Sequence, residues 1–360
     1  MTGTAHPDHP DHPDHPDHPA HRPAHPAHPT HPDGDPAVPV RALWWACRVP
    51  GLKEPFDTAH LRVFHPARPT GSDAERLTGE IPADPADAPY PVVVLLPGIN
   101  VGQDAYRWLA VALARAGLVA VTADLVGELF AGSHGLTPAV DLEAASPAGW
   151  GTRPTSPLIG ALLGALRDLG RRPPLDGLLD LDRVALGGHS AGGTVALQSA
   201  ALTPGVRAVF AYAAHTLVAG LLGWPEGTVL PVGPGPSVLL LSGEHDGVIA
   251  ASSDRYTSAR GPWDPVLRTF EEAVPGADGA SAWARLAGAG HFTACDPYDP
   301  TASRGFLETA AGDPTAPRAL LGRLVTDFCR SRLRADASAG RRLDDLLGAP
   351  HPGLLDVRRR

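Results

Sequence analysis

The amino-acid sequence predicts an α/β fold in which a mostly parallel, twisted sheet carries helices on both faces. Apolar runs rich in β-branched residues alternate along the chain with segments of helical periodicity, which is the order of repeated β-α-β units. The run at residues 91–98, PVVVLLPG, is almost continuously apolar, as expected of a strand buried on both faces of a parallel sheet. At residues 183–193 another such run passes through glycines directly into a helical segment. Connections between these strands should cross over in the right-handed sense.

The predicted strands follow one another in chain order, each bounded by turn residues. Two early strands rich in β-branched and aromatic residues come before a long proline-bearing surface loop at residues 67–91. The later strands are more uniformly apolar, which indicates burial. The predicted strands are residues 40–49, 59–66, 91–98, 118–125, 183–188, 206–214, 237–246 and 282–290.

Helices are predicted where apolar residues recur every three or four positions. In the first of them Leu109, Leu113 and Ala116 follow this spacing, and Gly117 is a natural C-terminal stop. An irregular stretch rich in glycine and proline covers residues 126–157 and could form a partial cover over a pocket. The predicted helices are residues 105–117, 157–170, 191–202 and 319–333.

Length and composition set the number of domains and exclude two classes of partner. The 360 residues, 43% of them hydrophobic, suffice for one large core, which we expect at residues 37–335. The net charge is −9, from 30 Lys and Arg against 39 Asp and Glu, and no basic face stands out for nucleic acid. No apolar run approaches the ~20 residues that span a bilayer, and the N-terminus lacks a secretory signal. We therefore expect a soluble, cytoplasmic protein.

The two ends of the chain differ in composition from the core. Residues 1–36 are rich in His, Pro and Asp, and the frequent proline predicts a disordered, extended tail. The alternative is weak capture of divalent metal by the spaced imidazoles of this tail. Residues 336–360 are predicted to be a flexible C-terminal tail with one short amphipathic piece, LDDLL.

The three cysteines, Cys47, Cys295 and Cys329, form no C-x-x-C pair. So sparse a set is typical of a reducing compartment, or of a chain that does not depend on disulfides. The sequence leaves open whether Cys295 and Cys329 pair, because spacing says little about connectivity.

A serine stands among glycines at residues 188–192, GHSAG, which match the pattern G-x-S-x-G. The chain must turn sharply here from strand to helix, so Ser190 is predicted to adopt a strained backbone conformation with its hydroxyl at the carboxyl edge of the sheet. Side chains at positions 188 or 192 would clash with the neighbouring strand and helix. An incidental serine in a glycine-rich turn is the alternative. The strand before and the helix after favour a nucleophile.

A serine hydroxyl needs a base, which we expect on the loop after the last strand. His291 follows LAGAG and fits this position, with His215 as second choice. The carboxylate that orients the imidazole should end a strand between nucleophile and base. Asp246, in SGEHD, is favoured for this role over Glu244.

Two backbone N–H groups are needed to hold an oxyanion. Ala191 should supply one, because it follows the nucleophile. Ile99 should supply the other from the loop after residues 91–98, although Pro97-Gly98 could be a simple turn. Loops at the same edge suggest four contacts with substrate, of which Tyr106 could equally be part of the core: Gln103, Tyr106, Trp150 and His215.

The order nucleophile, acid, histidine, together with the strand pattern, resembles the α/β-hydrolases. Within that superfamily LLPGIN, the helix and strand that follow it, and GHSAGG resemble the cutinase-like polyester hydrolases, the chlorophyllases and the platelet-activating-factor acetylhydrolases. The likeness covers residues 38–333. It implies an α/β-hydrolase fold, a triad of Ser190, Asp246 and His291, oxyanion donors at Ile99 and Ala191, and no cofactor.

The sequence therefore predicts a serine hydrolase that cleaves a small-molecule carboxylic ester through an acyl-serine intermediate. Two alternatives are open at this point. One is an acyltransferase or thioesterase that acts on a carrier-bound acyl chain. The other is a catalytically dead hydrolase fold with a metal-binding, His-rich tail.

Overall fold

The structure is a computed structural model. It describes the following parts of the chain: residues 38–129, 132–253, 256, 263–276, 279–302, 307–308 and 312–360. The N-terminal tail predicted at residues 1–36, with its histidines, lies outside them.

Strands form at each place where the sequence predicts one, since these runs are apolar and rich in β-branched residues. Three further strands were not predicted: two short ones within residues 126–157, and one at the C-terminus. The strands are β1 (Val40–Arg48), β2 (Thr58–Pro66), β3 (Tyr90–Leu96), β4 (Val119–Asp124), β5 (Val126–Glu128), β6 (His134–Leu136), β7 (Leu179–His189), β8 (Val206–Tyr212), β9 (Ser237–Gly243), β10 (Ala282–Leu286) and β11 (Leu354–Arg359).

Within the described residues, α-helices form at the four predicted positions and at four others. The loop at residues 67–91 contains a short helix capped by the side chain of Ser72, which accepts from the N–H of Glu75. The helices are α1 (Asp73–Thr78), α2 (Arg107–Arg115), α3 (Pro157–Leu169), α4 (Ala191–Ser199), α5 (Gly247–Ala250), α6 (Pro265–Arg268), α7 (Thr315–Leu333) and α8 (Ala337–Gly348).

Nine strands form one sheet in the order β1-β2-β4-β3-β7-β8-β9-β10-β11. The six strands from β4 to β10 in this order are parallel to one another. Strands β2 and β11 run antiparallel to their neighbours at the two ends of the sheet. The predicted mostly parallel sheet in an α/β fold is thus confirmed, and the carboxyl ends of the six parallel strands lie at one edge.

The core lies on both faces of the sheet, because side chains of buried strands alternate between them. In β3, Val92, Val94 and Leu96 belong to one cluster of buried residues, which includes α3, α4 and α6. Val93 and Leu95 belong to the other, which includes α2, α7 and α8. The predicted placement of helices on both faces is therefore confirmed.

The prediction of a flexible tail at residues 336–360 is wrong. Asp336 caps α8, whose leucines Leu343, Leu346 and Leu347 are buried against the second cluster. Strand β11 pairs with β10, and the backbone of Arg360 exchanges hydrogen bonds of 3.0 and 3.1 Å with Ser281. The segment therefore completes one edge of the sheet.

Two further features bear on the sequence-based expectations. All three cysteines are free, and Cys295 and Cys329 are both buried. Within the described residues, no helix is both long and apolar enough to cross a membrane.

We expect Leu343→Ala to lower the free energy of unfolding by about 2–5 kcal/mol, because it deletes a buried side chain. The matched control is Leu355→Ala on β11, whose side chain is 51% exposed; it should cost less than about 1 kcal/mol. Urea denaturation measures both values. Equal and negligible effects would mean that residues 336–360 do not pack on the core.

Candidate active site

Five segments that follow parallel strands meet around one cavity of about 300 Å³. They follow β3, β7, β8, β9 and β10, whose carboxyl ends share an edge of the sheet. Ile99, Ser190, His215, Val248 and His291 line the cavity from these five segments. Open parallel sheets commonly bind ligands at this edge.

The turn between β7 and α4 has the strained geometry that the sequence predicts. Ser190 has φ +53° and ψ −125°, in a region that non-glycine residues rarely adopt. Its N–H donates to the carbonyl of Tyr212 at 3.0 Å, which anchors the turn to β8. The turn directs the chain from the sheet edge into the first turn of α4.

The glycines on either side of this turn allow two close approaches of backbone. A Cβ at Gly188 would lie 2.3 Å from the backbone of Gly192, and a Cβ at Gly192 would lie 2.2 Å from the carbonyl oxygen of Leu96. The predicted clashes at positions 188 and 192 are therefore confirmed. The contact with Leu96 holds the start of α4 against the end of β3.

Asp246 and His291 form a buried pair, and His291 lines the same cavity as Ser190. Both carboxylate oxygens of Asp246 lie 2.9 Å from Nδ1 of His291. A carboxylate can only accept, so Nδ1 carries the proton and Nε2 keeps its lone pair. The side chains are 6% and 2% exposed, which shields the pair from solvent. Asp246 is also held by the N–H of Ile249, which donates to Oδ1 at 2.8 Å.

The two rival candidates for acid and base have other surroundings. Glu244 accepts from the N–H of Gly288 at 2.9 Å rather than contacting His291. His215 lines the cavity and is buried. Burial lowers the pKa of His215 to about 4, although the charge of Asp246 acts in the opposite direction. The geometry therefore favours Asp246 and His291.

The backbone on both sides of Ile99 is fixed by hydrogen bonds. The N–H of Gly98 donates to the hydroxyl of Tyr106 at 3.0 Å. Asn100 exchanges two bonds of 2.9 Å with the backbone of Leu136 in β6. Among the described residues the N–H of Ile99 has no acceptor of its own. The N–H of Ala191 is the first in α4, so it has no acceptor within the helix. Both groups are free to bind an oxyanion.

The wall of the cavity is apolar. No Asp, Glu, Lys or Arg occurs among the described residues that line it. Leu142 and Leu221 stand at its mouth, 46% and 75% exposed. The irregular stretch at residues 126–157 contributes Val140, Leu142 and Ala145 to the wall, as a partial cover would. Much of the remaining wall comes from α5 and the loop after β8: Leu217, Val218, Leu221, Leu222, Val248 and Ile249.

Three of the four predicted substrate contacts do not line this cavity. Gln103 is buried, and its side chain donates to Asp124 at 3.0 Å and accepts from Thr122 at 3.1 Å. Tyr106 is buried, and its hydroxyl accepts from the N–H of Gly98 in the loop after β3 and contacts His189. Trp150 packs edge-on against Trp224 at 6.4 Å between ring centroids. Of the four, only His215 lies on the cavity wall.

Sequence reasoning missed most of the apolar wall. The stretch LVAGLLGW after β8 is apolar but has neither strand nor helix periodicity, and an exposed apolar loop of this kind is a signal for a binding surface. Sequence reasoning also missed the contacts of His189, which directly precedes Ser190 in the G-x-S-x-G motif. Within the described part of the chain, no group of three or more His, Cys, Asp or Glu side chains could hold a metal ion.

We expect Gly192→Ala to destabilise the fold and disturb the site, because the new methyl group would meet the carbonyl of Leu96. The matched control is Gly164→Ala within α3, where a Cβ meets nothing within 4 Å. That change should stabilise the protein by about 0.5–1 kcal/mol. Thermal unfolding of both variants checks the prediction, and an equally stable Gly192→Ala protein would contradict the close approach.

The lowered pKa of His215 has a consequence for stability. The unfolded chain binds a proton on this side chain below about pH 6.5, and the folded chain only below about pH 4. The free energy of unfolding should therefore fall as the pH drops through this window, by up to about 3 kcal/mol from His215.

Urea denaturation at several pH values tests this effect. His215→Gln should make the dependence between pH 6.5 and 4 shallower, and the rest of the slope comes from His65 and His189, whose pKa values burial also lowers. His60→Gln, which changes an exposed histidine on β2, should keep the wild-type slope. A full wild-type slope in His215→Gln would show that another group causes it.

Comparisons with known proteins assign neither a family nor a function to the residues of this site. No protein-family model matches the chain, and no curated protein matches it significantly. Function must therefore be argued from the arrangement of Ser190, Asp246 and His291, from the two free backbone N–H groups, and from the apolar wall.

Proposed function

We propose that the protein is a serine hydrolase of the α/β-hydrolase fold, which cleaves carboxylic esters through an acyl-serine intermediate. The observation that carries the proposal is the buried pair of Asp246 and His291 on the cavity into which the strained turn presents Ser190. A nucleophile, a base and a group that orients the base are the parts that such catalysis needs. The block of six parallel strands, with the nucleophile turn between β7 and α4, further supports this fold.

Acylation begins when Ser190 Oγ attacks the ester carbonyl carbon and His291 Nε2 accepts the hydroxyl proton. The carbonyl oxygen becomes an oxyanion held by the N–H groups of Ile99 and Ala191. The bond from carbon to the alkoxy oxygen then breaks, and His291 returns its proton to the leaving alkoxide. Asp246 stabilises the imidazolium while it exists and stays ionised throughout.

Deacylation repeats these steps with water. His291 removes a proton from water as its oxygen attacks the acyl carbon, and the same two N–H groups hold the second oxyanion. The bond to Ser190 Oγ breaks, and Oγ recovers its proton from His291. The products are the free acid and the restored enzyme, so no cofactor is consumed.

The apolar wall supports an uncharged acyl group in the substrate. The lining lacks formal charge, so a carboxylate or ammonium on the acyl chain would lose its hydration without a partner. A volume of about 300 Å³ fits a small molecule.

We expect Ser190→Ala and Asp246→Asn to lower kcat on a short p-nitrophenyl ester by several orders of magnitude, about 10⁴-fold or more. A fluorophosphonate probe should label the parent protein at Ser190 and leave Ser190→Ala unlabelled. Initial rates and mass spectrometry of the labelled peptide measure the two effects.

Ser331→Ala is the matched control, because this serine lies on α7, and its hydroxyl bonds only locally to the carbonyl of Phe328. It should keep the parental rate. A Ser190→Ala protein that retains more than a tenth of the parental rate would remove Ser190 from the nucleophile's role.

A further inference from the structure

A chain of hydrogen bonds links the loop after β3, which carries the proposed oxyanion donor Ile99, to the loop after β10, which carries His291. The N–H of Gly98 lies 3.0 Å from Tyr106 Oη, which lies 2.9 Å from His189 Nδ1. His189 Nε2 lies 3.0 Å from the carbonyl oxygen of His291. Tyr106, His189 and His291 are 4%, 2% and 2% exposed.

The chemistry of the groups sets the direction of each bond. The carbonyl of His291 can only accept, so His189 Nε2 must donate. In a neutral imidazole Nδ1 then accepts, so the hydroxyl of Tyr106 donates to it and in turn accepts from the N–H of Gly98. Every donor in this chain has one acceptor.

Burial favours the neutral forms that this direction requires. It lowers the pKa of His189 well below the usual value, and the nearby His291 adds to the effect. It also raises the pKa of Tyr106 well above its usual range. The thiol of Cys295 lies 3.9 Å from His189 Nδ1, and burial raises its pKa to about 12. Both hydrogen-bond partners of the His189 imidazole, the Tyr106 hydroxyl and the His291 carbonyl, are therefore uncharged.

The chain of hydrogen bonds ends at two backbone segments that the proposed mechanism uses. Gly98 precedes Ile99, whose N–H is the proposed oxyanion donor, and His291 carries the proposed base. His189 itself directly precedes Ser190. The imidazole of His189 thus hydrogen-bonds directly to the loop that carries His291. Through Tyr106 it is also linked to the loop that carries Ile99.

We propose that Tyr106 and His189 are positioning residues which set the spacing between the oxyanion donor of Ile99 and the base His291. The proposal rests on the serine hydrolase function argued above. Neither residue hydrogen-bonds to the hydroxyl of Ser190 or to the imidazole of His291, although the ring of His189 packs against that imidazole at 4.8 Å between ring centroids. Their hydrogen bonds fix two loops that come from different strands, β3 and β10, at the separation that the transition state needs. Misplacement of catalytic groups by about 1 Å can cost on the order of 10²-fold in rate.

Tyr106→Phe removes the hydroxyl that joins Gly98 to His189 and changes the volume of the side chain very little. We expect kcat to fall about tenfold to a hundredfold while KM stays within about twofold, because the change affects only the alignment of the site. Tyr90→Phe is the matched control: Tyr90 is buried at the start of β3, and its hydroxyl donates to the carbonyl of Asp84. It should lower thermal stability to a similar extent and leave kcat unchanged.

Variants of His189 show whether Tyr106 and His189 act together through one chain of hydrogen bonds or have two independent packing roles. His189→Gln keeps a donor for the carbonyl of His291 and should retain more activity than His189→Leu. The double variant Tyr106→Phe/His189→Leu should be no slower than His189→Leu alone, within about twofold, because both changes break one chain. Multiplying effects, or a wild-type kcat in Tyr106→Phe, would overturn the proposal. Loss of ester hydrolysis in Ser190→Ala would still support the proposed function.

A second measurement needs no activity. In the full-length protein labelled with ¹⁵N-histidine, the imidazole of His189 should be neutral with its proton on Nε2 at pH 7. Its resonances are identified by their absence from His189→Gln, and the Nδ1 resonance should shift in Tyr106→Phe. A proton on Nδ1 would reverse the direction of the chain and overturn the proposal.

Discussion

The close contact between Gly192 and the carbonyl of Leu96 is the constraint on which the candidate site depends. It brings the start of α4 against the end of β3, so Ala191 and the loop after β3 lie close together. In the proposed mechanism, the N–H groups of Ala191 and Ile99 bind the same oxygen. A side chain at position 192 would push these segments apart. The strained φ of Ser190 is a consequence of this same tight passage from strand to helix.

Several polar side chains are buried beneath the site. His189, Tyr106, Tyr212 and Cys295 are all buried there, and burial lowers the pKa of the histidine and raises those of the other three. Asp246 is joined near His291 by a second carboxyl group: Glu308 accepts from the N–H of Phe292 at 3.2 Å, and burial raises its pKa. In a poorly screened interior a charge acts over longer distances than in water, so both carboxyl groups bear on the imidazole of His291.

The features that sequence predicts well here are those set by local pattern. The parallel strands, the helices on both faces and the strained turn at Ser190 follow from periodicity and glycine spacing over a few residues. The pairing of Asp246 with His291 followed from chain order and from the position of each residue after a predicted strand. Strand β11 was missed because LLDVRR has weak alternation, and only its pairing with β10 makes it a strand. Gln103 and Tyr106 were misread because the direction of a side chain in a short turn depends on the tertiary contacts around it.

The pairing of Asn100 with Leu136 ties the oxyanion loop to the hairpin of β5 and β6. A few residues after that hairpin, the chain contributes Val140, Leu142 and Ala145 to the cavity wall. In the proposed hydrolase, a change in this surface hairpin would therefore shift the N–H of Ile99 and the nearby wall while Ser190, Asp246 and His291 keep their contacts. Substrate preference and bond cleavage would then be free to change separately during evolution.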